Sequence, residues 1–516
     1  MKQRPGARDG YLLSLDAGTG TLRGALFDLR GRLIRAESRP RRYLPDPSGG
    51  SFLLVFDPRA FWTDLCRLIR ALIREADIPA ESIRAVATTC HRMSFLFLDG
   101  KGETVYAGPN LDSRGIFSQA DIEEKMGEEI FSITGLWPPL TSALAKLLWF
   151  RQEAPAAFAQ IRTVLALGDW ISRALCGETR SEPTTASGSM FFDIRTRAWS
   201  GEVLEAFQLD PSLLPLLAQP GEVIGTVRPH ASAATGLCAG TPVVAGGADT
   251  QCALLAAGAS AAGQVAIVAG TTAPVCCLQD EPFTDPDRRL WTSCHLPADA
   301  WILESNCHWA GTVYQWLRDL IASVLGARAG CGQDPYAWME ERASAAPAGS
   351  GYTFALLGPA LMDARHFHVV RPGLFLFPPP VQPVIAPQVE VGHFVRAALE
   401  NIAYALRGNL EQLVRLKGSK PDRVAASGGL CASRLLCQIV ADCLGVAVEV
   451  GSVREGSLLG AAICGAAGAR AFDSLQEACS ELRCQGQVFE PDPRQRSVYD
   501  QGYARWSELY RKIVEI

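Results

Sequence analysis

Tyr11-Leu-Leu-Ser-Leu-Asp16-Ala-Gly18-Thr19-Gly20-Thr21-Leu-Arg23-Gly-Ala-Leu-Phe-Asp28 places a short polar turn between two apolar runs. The run from Tyr11 to Leu15 reads as a buried strand. A second strand returns from Arg23 to Leu29 and closes at Arg30-Gly31. Strand, tight turn, strand is not the strand–loop–helix order of a dinucleotide or P-loop site, so those two architectures are excluded here. Gly18 and Gly20 let backbone N–H groups approach an anion closely, and the hydroxyls of Thr19 and Thr21 add donors. Asp16, just before the turn, would repel a phosphate unless a divalent cation sat between them, held through water. A plain hairpin turn accounts for the same residues, so this stretch alone leaves both readings open.

The pattern returns in the second half. Gln264 to Ala269 runs into Gly270-Thr271-Thr272 and leaves through Pro274 to Leu278. Two such units suggest an internal duplication of one α/β architecture. Facing turns, one per half, would clamp successive phosphates of a nucleotide. A third piece is the strand Arg423–Ser427 ending in Gly428-Gly429 ahead of a helix Arg434–Leu444, where bare backbone lets a flat ring or ribose lie close.

Other elements follow from periodicity. A helix is expected over Asp57–Ala76, and a strand Ile83–Thr89 that delivers Cys90-His91-Arg92 to its end. Strand and turn follow over Phe95–Gly102, then a mostly helical region from about Asp112 to Gly177. Thr241–Ala245 reads as a strand ending in Gly246-Gly247-Ala248-Asp249, followed by a small-residue helix to Ala257. Late in the chain come a strand Val446–Val450 and a Gly/Ala-rich helix Glu455–Ala469. Loops rich in Pro, Gly or Asp are expected at Tyr43–Ser51, Asp280–Arg289 and Gly373–Pro387.

A chain of 516 residues is too long for one core, so two large domains are expected, 9–252 and 253–516. With 48% hydrophobic and 20% charged residues and a net charge of -5, it lacks the basic face that nucleic acid requires. No apolar run reaches the ~18 residues needed to span a bilayer, and Met1–Gly10 lacks a signal-peptide core, so a cytoplasmic location is expected. The 16 cysteines include no C-x-x-C pair and read as small hydrophobes. His366 and His368 make two ligands at most, too few for a metal site.

Taken together these pieces resemble the FGGY carbohydrate kinases over nearly the whole chain. The matching segments are Asp16 to Arg23, Asn110-Leu-Asp112-Ser-Arg114, Gly246 to Asp249, Ala269 to Thr272, Ser427 to Gly429 with Ala441-Asp442, and Glu455 with Leu459 to Ala462. The resemblance implies two actin-like (ribonuclease-H-like) domains that close over ATP, Mg2+ and a small sugar-like substrate, in a monomer or homodimer. It implies that Asp249 is the general base and, with Asp16, faces the metal. Gly18, Thr19, Gly20, Thr21, Arg23, Gly270, Thr271, Thr272, Ser427, Gly428 and Gly429 would then bind the nucleotide. His91, Arg92, Asn110 and Asp112, together with Asp249, would face the substrate; Asp169, Glu304 and His308 are further candidates. Helix capping is the competing role for Asp249 and a structural ion pair with Arg114 the competing role for Asp112. Met93 stands where similar glycerol kinases carry an acid, and Pro109 where xylulokinases carry a Trp. The pattern looks closest to the autoinducer-2 kinase branch, which acts on a linear dihydroxy-pentanedione. A pentulose kinase, or an actin-like ATPase without a sugar acceptor, are the alternative readings.

Overall fold

The computed structural model describes residues 10–47, 49, 52–325, 334–366, 372–379, 388–483 and 486–514. Two compact units emerge. The first comprises Met1–Ala262, Leu278–Leu303 and Glu455–Cys484; the second comprises Gly263–Cys277, Glu304–Arg454 and Gln485–Ile516.

In the first unit the strands are β1 (Tyr11–Ala17), β2 (Thr21–Asp28), β3 (Leu33–Pro40), β4 (Ile83–Cys90), β5 (Phe95–Leu98), β6 (Thr104–Gly108), β7 (Thr163–Ala166), β8 (Val223–Thr226) and β9 (Pro242–Ala248). The main sheet runs β8-β9-β4-β1-β2-β3. Its centre, β9-β4-β1, is parallel, while β1-β2-β3 is an antiparallel meander. Parallel strands are covered on both faces, which is why β1 and β4 read as near-continuous apolar runs rather than alternating ones. One face takes α1 (Pro58–Glu75), whose Asp57 side chain accepts from Arg59 N and caps the helix start. Leu65, Leu68, Ile69 and Leu72 of α1 join Leu13, Leu15, Leu26 and Val86 in a single core cluster.

Against β1, β4 and β9 also lies α4 (Gly456–Gly468), which packs on α3 (Asp249–Ala256) and belongs to this unit although it comes from the far end of the chain. Its Gly/Ala composition has a steric cause. A methyl group on Gly460 would lie 2.0 Å from Cys252 O, so the two helices touch backbone to backbone. The 112–177 region holds the helices Ile116–Thr134, Ala143–Glu153 and α2 (Leu167–Cys176). It also contains β7, a strand the periodicity did not indicate, which pairs with β5.

The second unit repeats the arrangement. Its strands β10 (Val265–Val268), β11 (Pro274–Gln279), β12 (Arg423–Ser427), β13 (Ala447–Val450) and β14 (Gln487–Phe489) lie in the order β11-β10-β12-β13-β14. As β1 does with β2 and β4, β10 pairs antiparallel with β11 and parallel with β12. The helices Val391–Lys417 and Arg434–Leu444 complete its core. No helix among the described residues is long and apolar enough to cross a membrane. None of the described cysteines is in a disulfide. His366 pairs with Asp363 at 3.2 Å, and His368 lies outside the described residues.

Candidate active site

The register of β1 on β2 sets Asp16 directly across from Arg23. Their side chains meet in a close ion pair between Arg23 Nη2 and Asp16 Oδ2. Two groups at the start of α4 join them. Ser457 Oγ donates to Asp16 Oδ2 at 2.7 Å, and Arg23 Nη1 binds Glu455 at 2.9 Å. The Asp16 carboxylate lifts the Arg23 pKa further and burial opposes it. Asp16 itself is completely buried, and its second oxygen, Oδ1, has no hydrogen-bond partner within the chain. A buried, unsatisfied carboxylate oxygen is costly unless something else binds it.

Asp249 sits where β9 becomes α3. The strand is bulged just before it: Val244 pairs with Ala87, but the next pairs are Gly247 with Thr89 and Ala248 with Cys90. Gly246 is required there, because a methyl group would lie 2.0 Å from Thr88 O. The bulge re-aims the strand end, and Asp249 finishes half-buried at the first position of α3. Its Oδ1 accepts from Thr250 N at 2.7 Å. Burial raises its pKa to about 6, helped by the Asp16 charge and opposed by Arg92, the Thr250 amide and Arg23. A carboxylate near 6 is ionised at neutral pH yet basic enough to take a hydroxyl proton as it is released. Arg92 lies with its guanidinium 5.8 Å from the centre of the Trp291 ring.

The Gly18–Thr21 turn is tied down by its neighbours. Asn110 Nδ2 donates to Thr19 Oγ1 at 3.1 Å, and Arg41 Nη1 donates to Gly18 O at 2.9 Å. Asn110, expected to face substrate, is thus the partner of a residue expected to face phosphate.

His91 and Asp112 are both buried. His91 is 4% exposed, with Nδ1 bonded to Ala17 O, and burial followed by the Arg41 charge pushes its pKa to about 3. It is a neutral core ring beneath the turn and presents no cation to a ligand. Asp112 is 0% exposed and both its oxygens are engaged, Oδ1 by Leu54 N and Oδ2 by Tyr106 and Arg114. It frames the 109–114 loop. Asp169 is likewise buried, accepting from Ser181 Oγ at 2.6 Å.

In the second unit the remaining motifs come together. Ala269 N donates to Ser427 O at 2.7 Å and Leu430 N to Ala269 O at 3.0 Å, so the Gly270–Thr272 turn and the Ser427–Gly429 turn lie side by side. Both need glycine. Gly428 has φ +103° and a methyl group on it would meet Ala269 O at 2.5 Å. Thr271 O accepts from Gly311 N at 3.0 Å, which fixes the first turn on the following helix. Glu304 is buried and accepts from Asn306 Nδ2 at 3.0 Å.

Three functional neighbours escaped the sequence reading. Arg41 and Ser457 carry no motif and are found only through the fold. Lys146 looked like one polar residue in an apolar helix. It is completely buried, its Nζ donates to Pro109 O at 2.9 Å and Met93 O at 3.3 Å, and burial lowers its pKa to about 7. One ammonium therefore braces the segment after Arg92 against the segment before Asn110.

Comparison with known proteins bears on this constellation. Residues 11–256 match the model of the FGGY family of carbohydrate kinases, N-terminal domain, and residues 265–469 that of its C-terminal domain. An autoinducer-2 kinase of Klebsiella pneumoniae is 30% identical over 512 residues, 97% of this chain and 93% of that protein. One from Yersinia enterocolitica is 29% identical over 508 residues, 97% and 94%. Among solved structures, a ligand-bound xylulose kinase from Lactobacillus acidophilus superposes with a TM-score of 0.84 at 20% identity, covering 98% of each chain. A xylulose kinase from Rhodospirillum rubrum gives 0.80 at 25% identity, covering 98% of this chain and 99% of that one.

Proposed function

Since the chain belongs to the FGGY family of carbohydrate kinases, and so phosphorylates a sugar-like acceptor with ATP, we propose that its acceptor is a short, linear, carbonyl-containing polyol of the dihydroxy-pentanedione type, with Asp249 as the general base. The alternative of an actin-like ATPase without an acceptor is not favoured by these likenesses. The observation that carries the mechanism is Asp249 at the bulged tip of β9 and the start of α3, its carboxyl pushed up to about 6 by burial and the Asp16 charge and drawn down by Arg92. Phosphoryl transfer asks for positioning, charge neutralisation and a proton acceptor, and little covalent help. Asp249 accepts the hydroxyl proton, while Arg92 steadies the carboxylate and offers N–H donors to acceptor oxygens.

The identity to autoinducer-2 kinases supports this acceptor. Met93, beside Arg92, has its sulfur engaged by Thr141 Oγ1 at 3.1 Å.

Mg2+ belongs to the proposal as well. Carboxylate oxygens suit this hard cation, and the unpartnered, buried Oδ1 of Asp16 fits a ligand or a water-bridged contact. Asp16 and Asp249 would hold it, with water and phosphate oxygens completing the shell, since no cluster of three such ligands exists among the described residues. When bound, the cation neutralises phosphate charge. Gly18–Thr21, Arg23, Gly270–Thr272 and Ser427–Gly429 are the proposed nucleotide contacts, and a cytoplasmic place of work is part of the same reading.

The test is a comparison of kcat/KM for dihydroxy-pentanedione, xylulose, gluconate and glycerol with ATP and Mg2+. The linear dione is expected to exceed the others by at least about tenfold, or about 1.4 kcal/mol in transition-state binding. A higher value for xylulose would replace this acceptor with a pentulose.

A further inference from the structure

Asp249 lies one residue beyond Ala248, whose N–H bonds to a side chain outside the sheet. On one flank of β9 the antiparallel partner is exhausted early: Val223 pairs with Val244, and Ala245 exchanges hydrogen bonds with Gly221 and Glu222. On the other flank the parallel pairing with β4 is interrupted by the bulge at Gly246 and resumes only for the last two residues, Gly247 with Thr89 and Ala248 with Cys90. A proton acceptor just beyond that short stretch takes its aim from whatever else holds the strand end.

The Ala248 N–H is captured from elsewhere in the first unit. It donates to Thr184 Oγ1 at 2.8 Å. The same hydroxyl donates its proton to Glu182 Oε2 at 2.6 Å. Glu182 in turn is fixed by the backbone, Oε1 accepting from Thr184 N at 2.9 Å and Oε2 from Thr185 N at 3.1 Å. Glu182, Thr184 and Ala248 are 3%, 0% and 0% exposed, so no water competes for these bonds. The packing leaves no slack, since a methyl group on Gly247 would lie 3.0 Å from Thr184 Oγ1 and 2.4 Å from Leu296 Cδ2.

We infer that Thr184, oriented by Glu182, is a positioning residue that sets the aim of Asp249 through the Ala248 amide. The hydroxyl is the one atom that both accepts from the strand end and donates to the anchored carboxylate. It has a fixed direction because each of its bonds has a fixed partner. This rests on the reading of Asp249 as the base.

Thr184→Val keeps the shape and deletes both bonds. The expected result is a fall in kcat of about ten- to hundredfold, the scale of a misplacement near 1 Å, with the KM for ATP unchanged. Thr184→Ser retains the hydroxyl and should restore kcat. A purely structural role would lower the melting temperature without this split between kcat and KM.

Should Thr184→Val fail to fold, Thr184→Cys replaces the hydroxyl with a long, weak acceptor in the same volume and is expected to show the same loss. Wild-type kcat in the folded Val or Cys variant would overturn the inference. Asp249→Asn, measured alongside, separates the two layers. A dead Asn variant with a fully active Val variant refutes the positioning role alone, whereas turnover that survives in the Asn variant refutes the base assignment and the inference with it.

Discussion

Asp249→Asn should stabilise the protein while abolishing its turnover. Burial and the Asp16 charge hold the Asp249 carboxyl at about 6 against an ordinary 3.8. At ~1.4 kcal/mol per pKa unit, that displacement corresponds to about 3 kcal/mol by which folding disfavours the ionised form. The raised pKa fixes the sign. Above pH 6 the folded and unfolded chains are both ionised and the penalty is complete. Between pH 6 and 3.8 the folded chain takes up the proton first and the penalty shrinks; below 3.8 it is gone. A neutral Asn escapes the penalty at every pH. At pH 7.5 the variant should therefore melt several degrees higher than the wild type, with about 3 kcal/mol as the ceiling, since Arg23 and Arg92 lose a partner. The assay is thermal unfolding of both proteins from pH 7.5 down to 4, with kcat followed in parallel. The melting gap should close as the pH falls, and wild-type kcat at pH 5 should be about a tenth of its plateau. Equal melting temperatures at pH 7.5, or a gap that does not narrow toward pH 4, would refute the electrostatic account.

Two further outcomes are expected. Lys146→Met removes the ammonium that joins Met93 O to Pro109 O, so the KM for the acceptor should rise about tenfold while the KM for ATP stays within about twofold, as initial-rate kinetics would show; equal effects on both constants would remove its role in the substrate segments. Gly428→Ala meets both a left-handed backbone, φ +103°, and a carbonyl 2.5 Å away, so it should cost about 2 kcal/mol or more and weaken nucleotide binding by calorimetry, with acceptor binding spared.

The local grammar of the chain was legible where chemistry and periodicity coincided. The strand Arg423–Ser427 and helix Arg434–Leu444 fall where apolar spacing and turn residues put them, and the two strand–turn–strand units recur as expected. Strand Thr163–Ala166 was hidden because four residues between helices, three of them apolar, carry no period of their own. The site was legible in its glycines and carboxylates, since these must stand at particular steps in the chain. It was not legible in its supports. Ser457 reaches Asp16 across 441 positions and Thr184 reaches Ala248 across 64, and neither residue announces such a role locally. His91 and Asp112 show that burial, too, is not written in the local sequence. Both lie next to a motif yet are buried, His91 held through Nδ1 by Ala17 O and Asp112 through both its oxygens.

The central claim, a kinase whose ATP consumption is bound to a small acceptor, is tested most directly by ADP release from the purified chain with ATP and Mg2+, with and without dihydroxy-pentanedione. The account predicts a small background that rises by about a hundredfold or more on adding the acceptor, with one phosphorylated acceptor formed per ADP. ADP release that is equally fast without acceptor, accompanied by inorganic phosphate, would contradict it.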